Sequence, residues 1–400
     1  MNIIKKIYCR IFQFCFKIVL PFLPYRNPII LNEMDEIPNV LIDKKINNIL
    51  IVTDEGIVRA GIVSLLVKVL DDKKINYHIY DRTVANPTIS NVEDARKIYL
   101  DNKLEGIVAI GGGSALDLAK VVGARIVKPN KPVNKMKGLL KINKKLPLLI
   151  AIPTTSGTGS EVTLAAVITD EKTHHKYPIN DFCLIPHYAV LDYKNTLGLP
   201  KHITSTTGMD ALTHAVEAYI GRSTTKETRK MSLEAVRLIV ENIEECYVNP
   251  KNMDARKNML YAAHYAGIAF SKSYVGYVHA IAHTLGGKYN VPHGLANAII
   301  LPIMLEEYGE IIYKKLKDLA VYSKISSEDE NEKDAANKFI TWIYNVNKKM
   351  DIPLNIDLIK EEDLDELIEY ALKEANPLYP VPLLMDKEEF KYIYLRIKGK

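Results

Sequence analysis

Between Asn48 and Asp192 short apolar, β-branched runs alternate with helical patterns, and after Asn195 no such run recurs. The runs are NILIVT (48–53), YHIY (77–80), GIVAI (106–110), LPLLIAI (146–152) and YAVLD (188–192). Helical patterns fall between them, through Lys73, from Ser90 to Leu100 and from Ser114 onward. Near-continuous apolar strands separated by helices predict a parallel sheet buried on both faces. VTLAAVITD (162–170) predicts an inserted hairpin, with His174 and His175 at its exposed tip. Beyond Pro200, apolar periodicity predicts helices over 207–220, 226–247, 252–271, 275–286, 294–307, 309–323 and 332–349, then a helix-rich tail. A chain of 400 residues exceeds what one core holds. The predicted plan is an α/β domain over 31–195 and an all-α domain over 196–400, preceded by a separate segment, 1–30.

That leading segment carries Lys5, Lys6, Arg10, Lys17 and Arg26 with no acid before residue 33, and so accounts for the formal net charge of +5. The remainder is neutral, without the basic stripe of a nucleic-acid binder, so no nucleic-acid partner is expected. On a helix, Ile4, Ile7, Ile11, Phe14 and Ile18 share one face and Lys6, Arg10 and Lys17 another, giving a basic amphipathic helix. Lys17 breaks the apolar run short of the roughly 20 residues a bilayer span needs, and no small-residue cleavage site follows. The segment is expected to pack on its own protein or a second subunit, with peripheral membrane contact through residues 1–24 as the other reading. Four scattered cysteines, Cys9, Cys15, Cys183 and Cys246, show no metal spacing and suit a reducing cytoplasm.

GIVAIGGGSALDLAK (106–120) is a buried strand that ends in three glycines and turns directly into a helix. Glycines let backbone N–H groups approach an anion, and the helix N-terminus adds free donors and a favourable dipole. Gly111, Gly112, Gly113 and Ser114 are therefore the candidate pyrophosphate cradle of a dinucleotide. Leu116 stands where GxGxxG requires glycine, so the architecture is not the usual dinucleotide fingerprint. Asp54 ends the first strand, where a carboxylate accepts ribose hydroxyls and repels a 2′-phosphate, favouring NAD over NADP. PTTSGTGSEVT (153–163) is a second hydroxyl-rich loop after a strand, where open α/β sheets bind ligands.

In GMDALTHAVEAYI (208–220), Asp210 and His214 sit one helical turn apart. His279 and His283 repeat that spacing in GYVHAIAHTLGG, and His293 follows in VPHGLANAI. A lone helical histidine is usually a core or surface residue, but such pairs in apolar helices are costly to bury unless coordinated. Three imidazoles and a carboxylate suit a divalent transition metal, Fe²⁺ or Zn²⁺.

GGGSALDLAK, PTTSGTGSEVT, GMDALTHAVEAY and GYVHAIAHTLGGKYNVPHGLANAIILP together resemble the iron-containing (group III) alcohol dehydrogenase family, from about Asn48 to Pro302. The resemblance implies a dehydroquinate synthase-like two-domain fold, an NAD-binding α/β domain followed by an all-helical metal-binding domain. It implies Asp210, His214, His279 and His293 as metal ligands, His283 as a non-ligand catalytic histidine near the substrate, and Phe270 in the pocket wall. For the cofactor it implies Asp54, Asn86, Gly112, Gly113, Ser114 and Asp117, with Thr154, Thr155, Thr163 and Lys176. It further implies a homo-oligomer, a dimer, and hydride exchange between nicotinamide and a small alcohol or aldehyde. Ala165 stands where some diol-active members carry a polar residue, which argues against a 1,2-diol. Two rival readings are a dehydroquinate synthase-like lyase and a non-catalytic NAD- or metal-binding protein at a membrane surface.

Overall fold

A computed structural model describes residues 3–173 and 175–399, with the side chain of His175 also outside the description. The tip expected at His174 and His175 therefore lies outside the described residues. The chain divides into two compact units, residues 24–198 and residues 1–23 with 199–400.

Helix α1 (Ile3–Val19) opens the chain and belongs to the second unit. The segment expected as one piece over 1–30 is thus divided. Pro21 and Pro24 close the helix because their rings cannot continue its hydrogen bonding, and Ile29–Leu31 enters the first unit as strand β1. That unit continues with α2 (Ile37–Asp43), β2 (Asn48–Val52), α3 (Glu55–Arg59), α4 (Ile62–Asp71) and β3 (Asn76–Tyr80). It then runs through α5 (Ile89–Asp101), β4 (Gly106–Gly111), α6 (Gly113–Val127), β5 (Gly138–Leu139) and β6 (Leu148–Pro153). The hairpin β7 (Ala165–Asp170) and β8 (His175–Asn180) and the strand β9 (Tyr188–Val190) complete it. Six strands form one sheet in the order β1-β9-β6-β4-β2-β3, every pair parallel. Leu50 and Val52 of β2 enter one apolar cluster and Ile49 and Ile51 the other, as a sheet covered on both faces demands. The hairpin joins β5 in a second, three-stranded sheet.

In the other unit the helices are α7 (Lys201–Ile220), α8 (Lys226–Val248), α9 (Met253–Ser273), α10 (Tyr277–Tyr289) and α11 (His293–Tyr308). They are followed by α12 (Tyr313–Tyr322), α13 (Glu332–Lys349), α14 (Leu364–Ala375) and α15 (Lys387–Lys398), around one large apolar cluster. Helix α7 begins six residues before the expected start, directly after Pro200, and carries Gly208 in its interior. A Cβ on Gly208 would stand 2.8 Å from Ile243 Cδ1, so glycine is what lets α7 and α8 approach this closely.

Candidate metal centre and cofactor cradle

In the first unit, β4 delivers Gly111 to the start of α6 with a positive φ of 156°, and a Cβ there would meet the Ala115 Cβ at 2.7 Å. A Cβ on Gly113 would meet Thr158 Cγ2 at 2.8 Å. Thr158 belongs to the loop after β6, so the two loops read separately in the sequence close on one another here. Thr155 packs within 3.6 Å of the position a Gly112 Cβ would take. The hydroxyls of Thr154 and Ser156 are buried without a hydrogen-bond partner, which fits a surface built to receive a polar ligand. Asp54 Oδ1 caps α3 through the Ile57 N–H at 3.0 Å, and Oδ2 lies 3.4 Å from a Cβ built on Gly111. One carboxylate oxygen is thus a helix cap and the other borders the cradle.

Of the remaining expected cofactor residues, Lys176 and Asn86 bond to each other, while Asp117 and Thr163 are held by neighbours. Asp117 accepts from the Ser160 hydroxyl at 2.6 Å and the Val167 N–H at 2.9 Å. The Lys120 ammonium donates to Thr163 Oγ1 at 3.0 Å and to the carbonyls of Thr163 and Ala165. Burial pulls that ammonium down to about 8, against the pull of Asp117 and Glu161. Lys176 donates to Asn86 Oδ1 at 2.7 Å. Lys120, Thr158 and Ser160 were not singled out in the sequence; a lysine on a helix face that is otherwise apolar was the available signal.

In the helical unit, α7 presents Asp210 and His214, α10 presents His279, and His293 is the first residue of α11. One ligand atom from each lies within 4.8 Å of every other. Two glycines make this convergence possible. A Cβ on Gly294 would stand 2.4 Å from the Thr206 carbonyl, so α11 starts in contact with α7. A Cβ on Gly276 would stand 2.6 Å from Glu217 Oε1, where the Gly276 and Val278 N–H groups each donate to the Glu217 carboxylate at 2.8 Å.

Glu217 also accepts from His279 Nδ1 at 2.6 Å, leaving Nε2 as the lone-pair nitrogen. Burial pushes the Glu217 carboxyl up to about 8, opposed by the backbone N–H groups of Gly276, Val278 and His279. His279 is held well below its ordinary value by burial and then by His214, His293 and His283, so it is a neutral imidazole. The Asn297 carboxamide nitrogen stands among the donors, 2.6 Å from Asp210 Oδ1, 3.2 Å from His279 Nε2 and 3.1 Å from His293 Nε2. An amide NH₂ has two hydrogens for these three acceptors. Its own Oδ1 is buried without a partner. A buried acidic side chain among three imidazoles, with an overcommitted amide at its centre, fits a divalent cation.

Around this set, the Phe270 ring stacks on His214 at 4.0 Å between centroids. His283 stacks on His293 at 5.1 Å, and its Nδ1 pairs with Glu374 Oε1 at 2.6 Å. Tyr379 donates to the same Glu374 oxygen at 2.7 Å. Sequence reasoning missed Glu217, Asn297 and Glu374. The first two carry a signal, since Glu217 lies one turn beyond His214 and Asn297 one turn beyond His293. Glu374 comes from α14, 91 residues from His283, and carries none.

Residues 29–193 match the model of the iron-containing alcohol dehydrogenase family, and residues 204–397 that of the family's C-terminal part. Alcohol dehydrogenase 4 of Saccharomyces cerevisiae is 36% identical over 360 residues, covering 89% of this chain and 92% of that one. The 1,3-propanediol dehydrogenase of Citrobacter freundii is 36% identical, covering 82% and 85%. Among solved structures, an alcohol dehydrogenase from Oenococcus oeni superposes with a TM-score of 0.88 at 32% identity, covering 92% of this chain and 99% of that one.

Proposed function

The chain belongs to the iron-containing alcohol dehydrogenase family, and from that premise we propose that it exchanges hydride between NAD(H) and a small alcohol or its aldehyde, using Asp210, His214, His279 and His293 to hold Fe²⁺ or Zn²⁺. The observation that carries the reading is the convergence of those four donors within 4.8 Å, three of them buried and His293 partly so. When bound, the metal supplies Lewis acidity at the alcohol oxygen and the nicotinamide accepts the hydride.

The chain's own residues do the rest. Glu217 fixes the tautomer and ring plane of His279. Phe270 packs flat on His214, limiting its rotation and giving the site an apolar wall. His283 holds its Nδ1 proton towards Glu374, so Nε2 is the nitrogen that takes the alcohol proton and passes it on. In the other unit, Gly111–Ser114 receives the pyrophosphate at the N-terminus of α6, with the hydroxyls of Thr154 and Thr155 beside it. Asp54 accepts the ribose hydroxyls through its Oδ2 and disfavours the 2′-phosphate of NADP. Asn86, Asp117, Thr163 and Lys176 are the remaining proposed cofactor contacts, with Lys176 positioned by its 2.7 Å bond to Asn86.

Small primary alcohols are the proposed substrates, in keeping with relatives named for alcohol, 1,3-propanediol and lactaldehyde. Cytoplasmic residence is part of the proposal, supported by four free cysteines, and so is a homo-oligomer. The test is cofactor reduction on mixing metal-loaded protein, NAD and a panel of primary alcohols. Turnover that needs both metal and NAD supports the reading; silence with both bound would favour a lyase or a binding protein.

A further inference from the structure

Helix α1 is docked with its polar side inward. Gln13, only 4% exposed, donates to the Tyr379 carbonyl at 2.7 Å and the Pro377 carbonyl at 3.4 Å. Arg10 donates to the carbonyls of Val381 at 2.8 Å and Pro382 at 2.9 Å. Cys9 is buried beside them, and Phe16 meets Tyr274 edge to face at 5.1 Å. Polar bonds of this kind fix one orientation of the helix on its own unit.

The opposite face carries Ile3, Ile4, Ile7, Ile11, Phe14 and Ile18, each more than half exposed; Phe14 is 64% exposed while its neighbour Gln13 is 4%. A surface helix ordinarily turns such a stripe to the core. An unbroken apolar stripe left outside marks an interaction surface. The stripe is bordered by Lys5 and Lys17, and α1 contains no acidic residue. An open groove of 560 Å³ beside it has Ile7, Ile11, Phe14 and Leu383 in its walls and Lys6 and Arg222 among its lining. Lys17, Arg222 and Arg229 also act on the half-buried Lys315, opposed by Asp318.

We propose that α1 is an interfacial helix that seats this enzyme on an anionic membrane surface, its apolar stripe among the acyl chains and its flanking cations at the lipid phosphates. A helix with a strong apolar face and lysine flanks lies in the headgroup plane, and anionic lipid complements those cations. A second copy is the weaker occupant, because two-fold pairing of the stripe would set the same cations of both copies along one rim. No described helix is long and apolar enough to cross a bilayer, so the contact is peripheral.

The test is sedimentation of the full-length, metal-loaded protein with vesicles of phosphatidylcholine alone or mixed with phosphatidylglycerol. The mixed vesicles are expected to bind it about tenfold more tightly, less so as salt rises. The double variant Ile7→Glu/Phe14→Glu is expected to lose at least about tenfold of that binding with metal content and turnover unchanged. Absence of binding, equal binding to both vesicles, or binding untouched by the double variant would overturn the proposal. So would a wild-type particle that the double variant splits into smaller ones, which would show that a second copy covers the stripe.

Discussion

The Glu217 carboxylate accepts a 2.6 Å hydrogen bond from His279 Nδ1 while the N–H groups of Gly276 and Val278 hold it from below. This bond fixes the ring of His279, whose Nε2 lies 3.2 Å from the Asn297 carboxamide nitrogen among the candidate ligands. Replacing Glu217 by Gln keeps the volume but turns an amide NH₂ towards groups that are themselves donors. The variant is expected to weaken metal affinity by about 10–100-fold. Competition with a chelator for Zn²⁺ reads this directly, and an unchanged affinity would remove Glu217 from the metal's support.

His283→Ala and Glu374→Gln are expected to keep the metal and slow turnover, because both disturb the pair at 2.6 Å and neither removes a ligand. General acid–base contributions of this kind are worth about 10²–10⁴ in rate. Metal analysis beside steady-state kinetics separates the outcomes, and full turnover in both variants would take His283 out of the proton path.

The cradle yields a coupled pair. Gly113→Ala puts a methyl 2.8 Å from Thr158 Cγ2 and 3.0 Å from Oγ1, so it should weaken NAD binding by about 1–3 kcal/mol. Thr158→Ala removes both obstructing atoms, and the double variant should regain most of the loss. Cofactor titration of the four proteins checks this, and additive losses would show that the two loops do not pack together at the ligand.

His187 gives a pH dependence away from the metal. Its Nδ1 accepts from the Leu149 N–H at 3.1 Å between β6 and β9. Burial first, then Arg26 and Lys145, pull the imidazole down to about 4. The folded protein therefore holds fewer protons on this group than the unfolded chain between about 4 and about 6.5. Its stabilising share is full above the unfolded value and is lost as pH falls through the folded one. Thermal unfolding should drop by several degrees across that window, and His187→Gln should flatten the slope. A wild-type curve flat over that interval would contradict the assignment.

The parts of the fold legible in sequence are those written in periodicity. The six residues of β4 are all buried, so the run reads as a central strand without knowledge of its neighbours. The spacing of Asp210 with His214 survives because one helical turn is a local rule. Strand β1 escaped because three residues, Ile29–Leu31, carry too little pattern, and only their pairing with β9 defines them. The direction in which α1 faces was equally out of reach. Its stripe is plain in the sequence, but the carbonyls of residues 377–382 that draw Gln13 and Arg10 inward lie over 360 residues away. Glu374 escaped for the same reason, since its partner is set by the packing of α10 on α14.

Metal content and turnover of Asp210→Ala measured on one preparation test the centre most directly. The wild type should carry one Fe²⁺ or Zn²⁺ per chain and reduce NAD with a primary alcohol; the variant should lose the ion and the activity together while staying folded. A folded variant that keeps both would contradict the assignment of Asp210, His214, His279 and His293 to a single catalytic cation.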